Sequence, residues 1–300
     1  MNLARTVEPV GMASEEGGAA RPHFHRSPHA TRVAVGLYSL AILALGLFFA
    51  AEPARAQLTA TLKPETIEAF EQYEENVEDL MQKRLNGELG FLWLDEDPKV
   101  RNKALRGEIA VAKLDDDADV PDGLIHNWIA AMFVPDSTIE QLVAVFQDYP
   151  NYPKIYPEVI RVKLESQAGD VFNVYQRLVK KKVITATLDT WHEARYKKLE
   201  GGRYLVQSKA TKVQEVKNAG KASEKLLPVG EDGGYVWRMN LYWRLEQDDD
   251  GVFAECHSLT LSRSIPRGTG WIVKPFVNSM PRESLEKSLQ ATRMAVMKTK

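Results

Sequence analysis

Six long strand-like stretches follow one another between residues 158 and 265, and one of them sorts its side chains cleanly onto two faces. In Val236 to Leu245, the residues Trp237, Met239, Leu241, Trp243 and Leu245 fall on one side. Val236, Arg238, Asn240, Tyr242 and Arg244 fall on the other. Side chains alternate across a strand, so this pattern is that of an antiparallel sheet with one apolar and one wet face. Burying two tryptophans, a methionine and two leucines supplies on the order of 10 kcal/mol before the entropy cost of ordering them. The stretches run 158–166, 170–180, 182–196, 203–217, 234–247 and 252–265, with turn residues at Ala168-Gly169-Asp170, Gly201-Gly202 and Asp248–Gly251 between them. Lys217 to Gly234 reads as a hairpin loop enlarged by polar residues and glycines.

Helices stand at the two ends of this block. From Pro64, tolerated in a first helical turn, Ile67, Phe70, Val77, Leu80, Met81 and Leu85 recur at helical spacing, and Gly87 is the stop. Such an amphipathic helix of 22 residues has to pack on something, here read as an extension that clasps the main domain. A strand is expected at Gly107 to Leu114, and another at Leu124–Val134 (LIHNWIAAMFV) ending before Pro135. Asp136 or Ser137 is placed to cap a helix with Ile139, Leu142, Val143 and Phe146 on one face. The segment Asp148 to Val159 is too proline-rich for a long helix. At the C-terminus, Trp271 to Met280 makes a turn or two broken near Pro275, and Pro281 starts a helix with Leu285, Leu289, Thr292 and Val296 on one stripe. Antiparallel strands with helices segregated at the ends specify an α+β class, not a doubly wound sheet.

The first 56 residues are read as an export signal. Val33 to Ala51 is an uncharged apolar run preceded by Arg26 and Arg32 and followed by Ala54-Arg55-Ala56, a small-x-small cleavage pattern. Cleavage after Ala56 sends the rest to the periplasm or outside the cell. The rival reading is an uncleaved membrane anchor, since the run is just long enough to span a bilayer. Met12 is an alternative start to Met1. Residues 57–300 carry 34 basic and 37 acidic side chains, so the mature chain is mildly acidic. That excludes nonspecific nucleic-acid binding, which needs a basic surface. A lone cysteine, Cys256, makes no internal disulfide, so stability has to come from a core.

The order strand, two short helices, six strands and long helix resembles the START-like superfamily, also called the SRPBCC or helix-grip superfamily, with its polyketide cyclases and coenzyme Q-binding proteins. The residues that carry the resemblance are Asp148, Tyr149, Tyr152, Pro153, Ile155, Pro157, Glu158 and Val159, and the segment Gly270 to Leu285 (GWIVKPFVNSMPRESL). It spans residues 123–298. The resemblance implies a curved antiparallel sheet gripping the C-terminal helix, with a cavity between them. The domain plan is then a signal peptide at 1–56, a helix and strand extension at 57–121, and a helix-grip domain at 122–300.

Within that plan, Trp237, Met239, Leu241 and Trp243 are candidate cavity walls, because aromatics and methionine adapt to an apolar guest. Tyr152, Tyr156, Phe276 and Met280 are candidates for the mouth. Tyr175, Arg177, Asp189, His192 and Glu255, with Trp191 alongside, would project into the cavity if strand parity runs that way; otherwise they pair across strands on the solvent face. No metal-ligand spacing, nucleophile elbow, phosphate-cradling loop or dinucleotide fingerprint is present, so neither metal nor cofactor is expected. The expected function is binding of a lipid, quinone or other apolar molecule, with membrane contact during ligand exchange. The alternatives are a cyclase- or aromatase-type enzyme using cavity Tyr, His, Arg or Asp, and an interaction module with a closed cavity. Oligomeric state has no signature in the sequence.

Overall fold

The strands expected between 158 and 265 pair antiparallel into one large sheet in a computed structural model, which describes residues 60–115, 118–181, 185–265 and 270–299. The described residues fall in the unit Gln57–Lys300. The elements begin with β1 (Ala60–Thr61), α1 (Pro64–Leu85), α2 (Pro98–Leu105), β2 (Ala110–Lys113), β3 (Ala118–Val120) and β4 (Gly123–Pro135). Then come α3 (Ile139–Gln147), α4 (Tyr152–Ile155), β5 (Val159–Ala168), β6 (Val171–Lys181), β7 (Thr185–Leu199) and β8 (Arg203–Lys217). The chain ends with β9 (Lys225–Leu226), β10 (Glu231–Asp232), β11 (Arg238–Asp248), β12 (Gly251–Arg263) and α5 (Gly270–Lys298). The sheet order is β2-β4-β12-β11-β8-β7-β6-β5, with β3 on β4 and β9 on β8. In the β7–β8 turn, Gly201 and Gly202 both have positive φ, 68° and 66°, the conformation that a tight primed hairpin turn demands.

Each face of the sheet meets a different layer. On the inner face, α5 sets Leu285, Leu289 and Val296, and α3 sets Leu142, Val145 and Phe146, against Met132, Val134, Trp243, Leu245, Val252 and Ala254. On the outer face, α1 lays Phe70 and Val77 on Ile125, Trp237, Tyr242, Leu259 and Leu261. Beside them, Phe91, Leu92, Leu94 and Ala104 cover Ala131, Phe133, Leu205 and Phe253. The central strand β4 is therefore buried along both faces from Gly123 to Val134. A strand covered twice has no reason to alternate, which is why LIHNWIAAMFV reads as a continuous apolar run.

Several local expectations are corrected. The cap of α3 is Thr138, whose hydroxyl accepts from Gln141 N while the Gln141 side chain accepts from Thr138 N, a complete capping box. Neither Asp136 nor Ser137 takes that role: Asp136 turns the chain at φ 48°, and Ser137 Oγ donates to Val134 O at 2.7 Å. Helix α5 runs unbroken from Gly270 through Pro275 and Pro281. Each proline forfeits one backbone hydrogen bond, and turns on both sides carry the helix past it. Helix α2 was not anticipated, although Asp97 accepting from Lys99 N at 2.8 Å and Pro98 in the first turn are an ordinary helix start. Strand β2 is shorter than 107–114, and the 217–234 loop contributes β10, which pairs with β1. The apolar run Val33–Ala51 lies outside the described residues; among those described, no helix is long and apolar enough to cross a membrane.

Candidate functional site

Residues directly opposite each other in an antiparallel pair share a face, so the registers of the central strands build rows across the inner face. One row is Ala130–Cys256–Trp243–Val206–Tyr196, apolar but for a thiol and a phenol and entirely buried. The next row towards the β11 start is Trp128–Ser258–Leu241–Ser208–Ala194, and beyond it stands His126–Thr260–Met239. Composition changes at this step from aliphatic to mixed, and exposure changes with it. Leu241, Ser208, Met239 and Thr260 are only half-buried although they face the helix layer, as are Gln176 and Ala210 nearby. The inner face is therefore sealed at its Leu245 end and open to solvent-sized space at its Met239 end.

Two buried ring nitrogens on this face have no hydrogen-bond partner among the described residues. His192 sits opposite Val174 and Ala210, which places it on the inner face. Its Nδ1 lies 3.4 Å from Ser208 Oγ, while Nε2 has no hydrogen-bond partner among the described residues. Burial pushes its pKa down to about 4, so the imidazole is neutral at physiological pH. The indole Nε1 of Trp128 is likewise buried with no partner among the described residues. Buried donors in folded proteins are nearly always bonded, so such orphans call for an explanation.

A tyrosine cluster borders the site. Tyr196 donates to Phe146 O at 3.0 Å, Tyr149 donates to the Tyr196 oxygen at 3.0 Å, and Tyr152 donates to Phe146 O at 2.5 Å. The Tyr156 hydroxyl lies 3.0 Å from Thr292 Oγ1 on α5. Burial raises the pKa of all four phenols, those of Tyr149 and Tyr156 to about 12, so they act as neutral, fixed walls. Met280 lines a small open cleft of about 60 Å³ with Glu158, Lys180, Ser284 and Lys287. There Lys180 ion-pairs with Glu158 and donates to Ser284 Oγ at 2.7 Å, tying β6 to α5.

Of the residues singled out in the sequence, Met239, Leu241 and Trp243 face inward and Tyr152 and Tyr156 flank them. The Phe276 side chain lies outside the described residues. Tyr175, Arg177 and Trp191 are corrected to the outer face, because Val174 and Leu178 take the inner positions of β6. Arg177 grips Asp189 through Nε at 2.6 Å and Nη2 at 2.8 Å, and Tyr175 donates to the same carboxylate at 2.9 Å. Lys212 Nζ stands 3.5 Å from the centre of the Trp191 ring. Trp237 is corrected too. It precedes β11 in a bend that breaks the two-residue period, so it packs under α1 with Nε1 donating to Asp232 at 2.9 Å, and Val236 packs beside Met239 in its stead. Sequence reasoning missed Trp128, Ser208 and Ser258; only the strand register reveals them.

Glu255 faces outward as well, in an ion pair with Arg244 that α1 and the Phe91–Leu94 segment cover. The Trp93 backbone N–H donates to its Oε2 at 2.7 Å. Close by, His257 Nε2 lies 2.5 Å from Asn127 Oδ1, and burial, with Arg244 and Arg84 near, lowers its pKa to about 3. His192 and His257 thus both stay neutral in the fold where the unfolded chain would protonate them. As pH falls below about 6.5 the unfolded state takes up protons first, so stability is full above that pH and declines between about pH 6.5 and 4. The expected slope approaches 1.4 kcal/mol per pH unit for each histidine. Denaturant unfolding across this range reads it; a stability independent of pH there would contradict the burial of both rings.

The element order and the sheet-on-helix packing meet the START-like, helix-grip expectation on the chain's own geometry. Among solved structures, the chain is similar to a STAR-related lipid transfer protein fragment from Xanthomonas axonopodis: 17% identity, 63% of this chain and 98% of that one covered, TM-score 0.43. It is also similar to the Zhui aromatase/cyclase from a Streptomyces species (12% identity, 58% and 93% covered, TM-score 0.40). A START superfamily protein from Mycobacterium smegmatis matches at 10% identity over 59% and 99%, TM-score 0.38. No protein-family model matches the chain, and no curated protein matches it by sequence.

Proposed function

We propose that this chain is an exported binding protein that holds an apolar molecule, of lipid or quinone character, between the inner face of its sheet and α5. The observation that carries the reading is the open half of the inner face. Met239, Leu241 and Ala210 point towards the helix layer and yet are only partly buried, whereas Trp243, Leu245 and Val206 in adjoining rows are buried. Apolar side chains left accessible inside a fold are what a guest would cover. The export part of the proposal rests on the apolar run Val33–Ala51 and the Ala54-Arg55-Ala56 site. Loading from a membrane suits such a cargo, whose free concentration in water is low.

A catalytic reading gains no comparable support. The ion pair best suited to acid–base work, Arg177–Asp189, faces away from the site, and His192 Nδ1 contacts a serine rather than a carboxylate. Titration of the full chain with N-phenylnaphthylamine, an uncharged fluorophore that brightens in apolar surroundings, tests the binding reading. Saturable binding of about one fluorophore per chain, with a Kd in the micromolar range or below, is the expected result. Brightening that never saturates would sink the reading.

A further inference from the structure

The open half of the inner face is apolar, but its hydrogen-bonding groups are not placed at random. Trp128, Ser258, Leu241 and Ser208 stand in one row across β4, β12, β11 and β8, and His192 reaches that row through its contact with Ser208. Trp128 is 9% exposed and His192 5% exposed, and each carries a ring nitrogen with no partner among the described residues. An indole N–H donates and never accepts. Leaving it unmatched in a buried site is costly, so a guest that supplies an acceptor gains what one without it cannot.

We propose that the molecule bound here carries a hydrogen-bond-accepting oxygen of carbonyl type within its apolar body, seated on Trp128 Nε1. The inference rests on the cavity reading above and narrows it from apolar molecules at large to apolar carbonyl compounds. A carbonyl oxygen is an acceptor only, which complements a donor-only indole. A plain hydrocarbon guest would leave the indole N–H unpaired.

The test compares acetonaphthone with ethylnaphthalene, which match in shape but for the carbonyl oxygen. Both are titrated into the full-length chain and into Trp128→Phe, which removes the N–H and keeps an aromatic ring. The ratio of ketone to hydrocarbon affinity is expected to fall about tenfold in the variant, the equivalent of one ordinary hydrogen bond. In the unaltered chain, the Trp128 indole proton resonance is expected to move downfield with the ketone and to stay with the hydrocarbon; this second measurement holds even if the variant folds poorly. An unchanged affinity ratio, or an indole resonance indifferent to the ketone, overturns the carbonyl proposal while leaving the cavity intact. Binding of neither compound overturns the cavity reading and this inference with it.

Discussion

Glu255→Ala lowers the stability of the fold by about 3–5 kcal/mol, because it leaves Arg244 charged and buried with its partner gone. Glu255 is fully buried and Arg244 is 1% exposed, so water cannot reach in to replace the lost carboxylate. Burial alone raises the Glu255 pKa, and the adjacent Arg244 works against that rise. The substitution also removes the acceptor of the Trp93 N–H, and with it a tether between the N-terminal layer and the sheet. In a chain of this size the loss corresponds to a fall in Tm on the order of ten degrees. Replacing both partners by methionine should cost far less, since a buried ion pair and well-packed apolar residues of similar volume are often near parity. Thermal unfolding of the single and double variants decides this. A single variant as stable as the double would mean that the pair is solvated and that the N-terminal layer does not seal the outer face.

Ala210→Trp is expected to weaken guest binding by more than about tenfold, while the fold loses no more than the 1–3 kcal/mol usual for an enlarged side chain. Ala210 lies opposite His192 on the inner face and is half-buried, so an indole built there would project into the space assigned to the guest. N-phenylnaphthylamine titration reads the loss, and a retained thermal transition shows that the sheet is intact. Full affinity in a folded Ala210→Trp protein would place the guest elsewhere.

How far the sequence reveals this arrangement depends on how many layers cover each strand. Strand β11 shows its two faces because polar Arg238, Asn240 and Arg244 alternate with Met239, Leu241 and Trp243, even though α1 and its neighbours later bury the polar side. Strand β4 hides its faces, being covered twice, and so Trp128 looked like one more apolar residue in a run. Parity between strands was the harder quantity. Tyr175, Arg177, Asp189 and Glu255 needed only a one-residue difference of register to sit inside instead of outside, and nothing local fixes that choice. His192 lies inside and Asp189 outside on one strand because three residues separate them. The Trp237 side chain escaped because a bend, not a strand, holds it, and a two-residue period does not run through a bend. The covering layer was half legible: the spacing of α1 was plain, whereas α2, charged and only eight residues long, carries too little apolar pattern to stand out.

The account turns on one claim, that the space beside Met239 and Leu241 holds an apolar guest. Native mass spectrometry of the full-length chain, purified gently and followed by organic extraction, tests it most directly. The predicted result is a co-purifying apolar carbonyl compound at close to one per chain, released by solvent and lost in Ala210→Trp. A bare protein mass, with nothing extracted and no mass adduct restored by incubation with lipid and quinone mixtures, would contradict it.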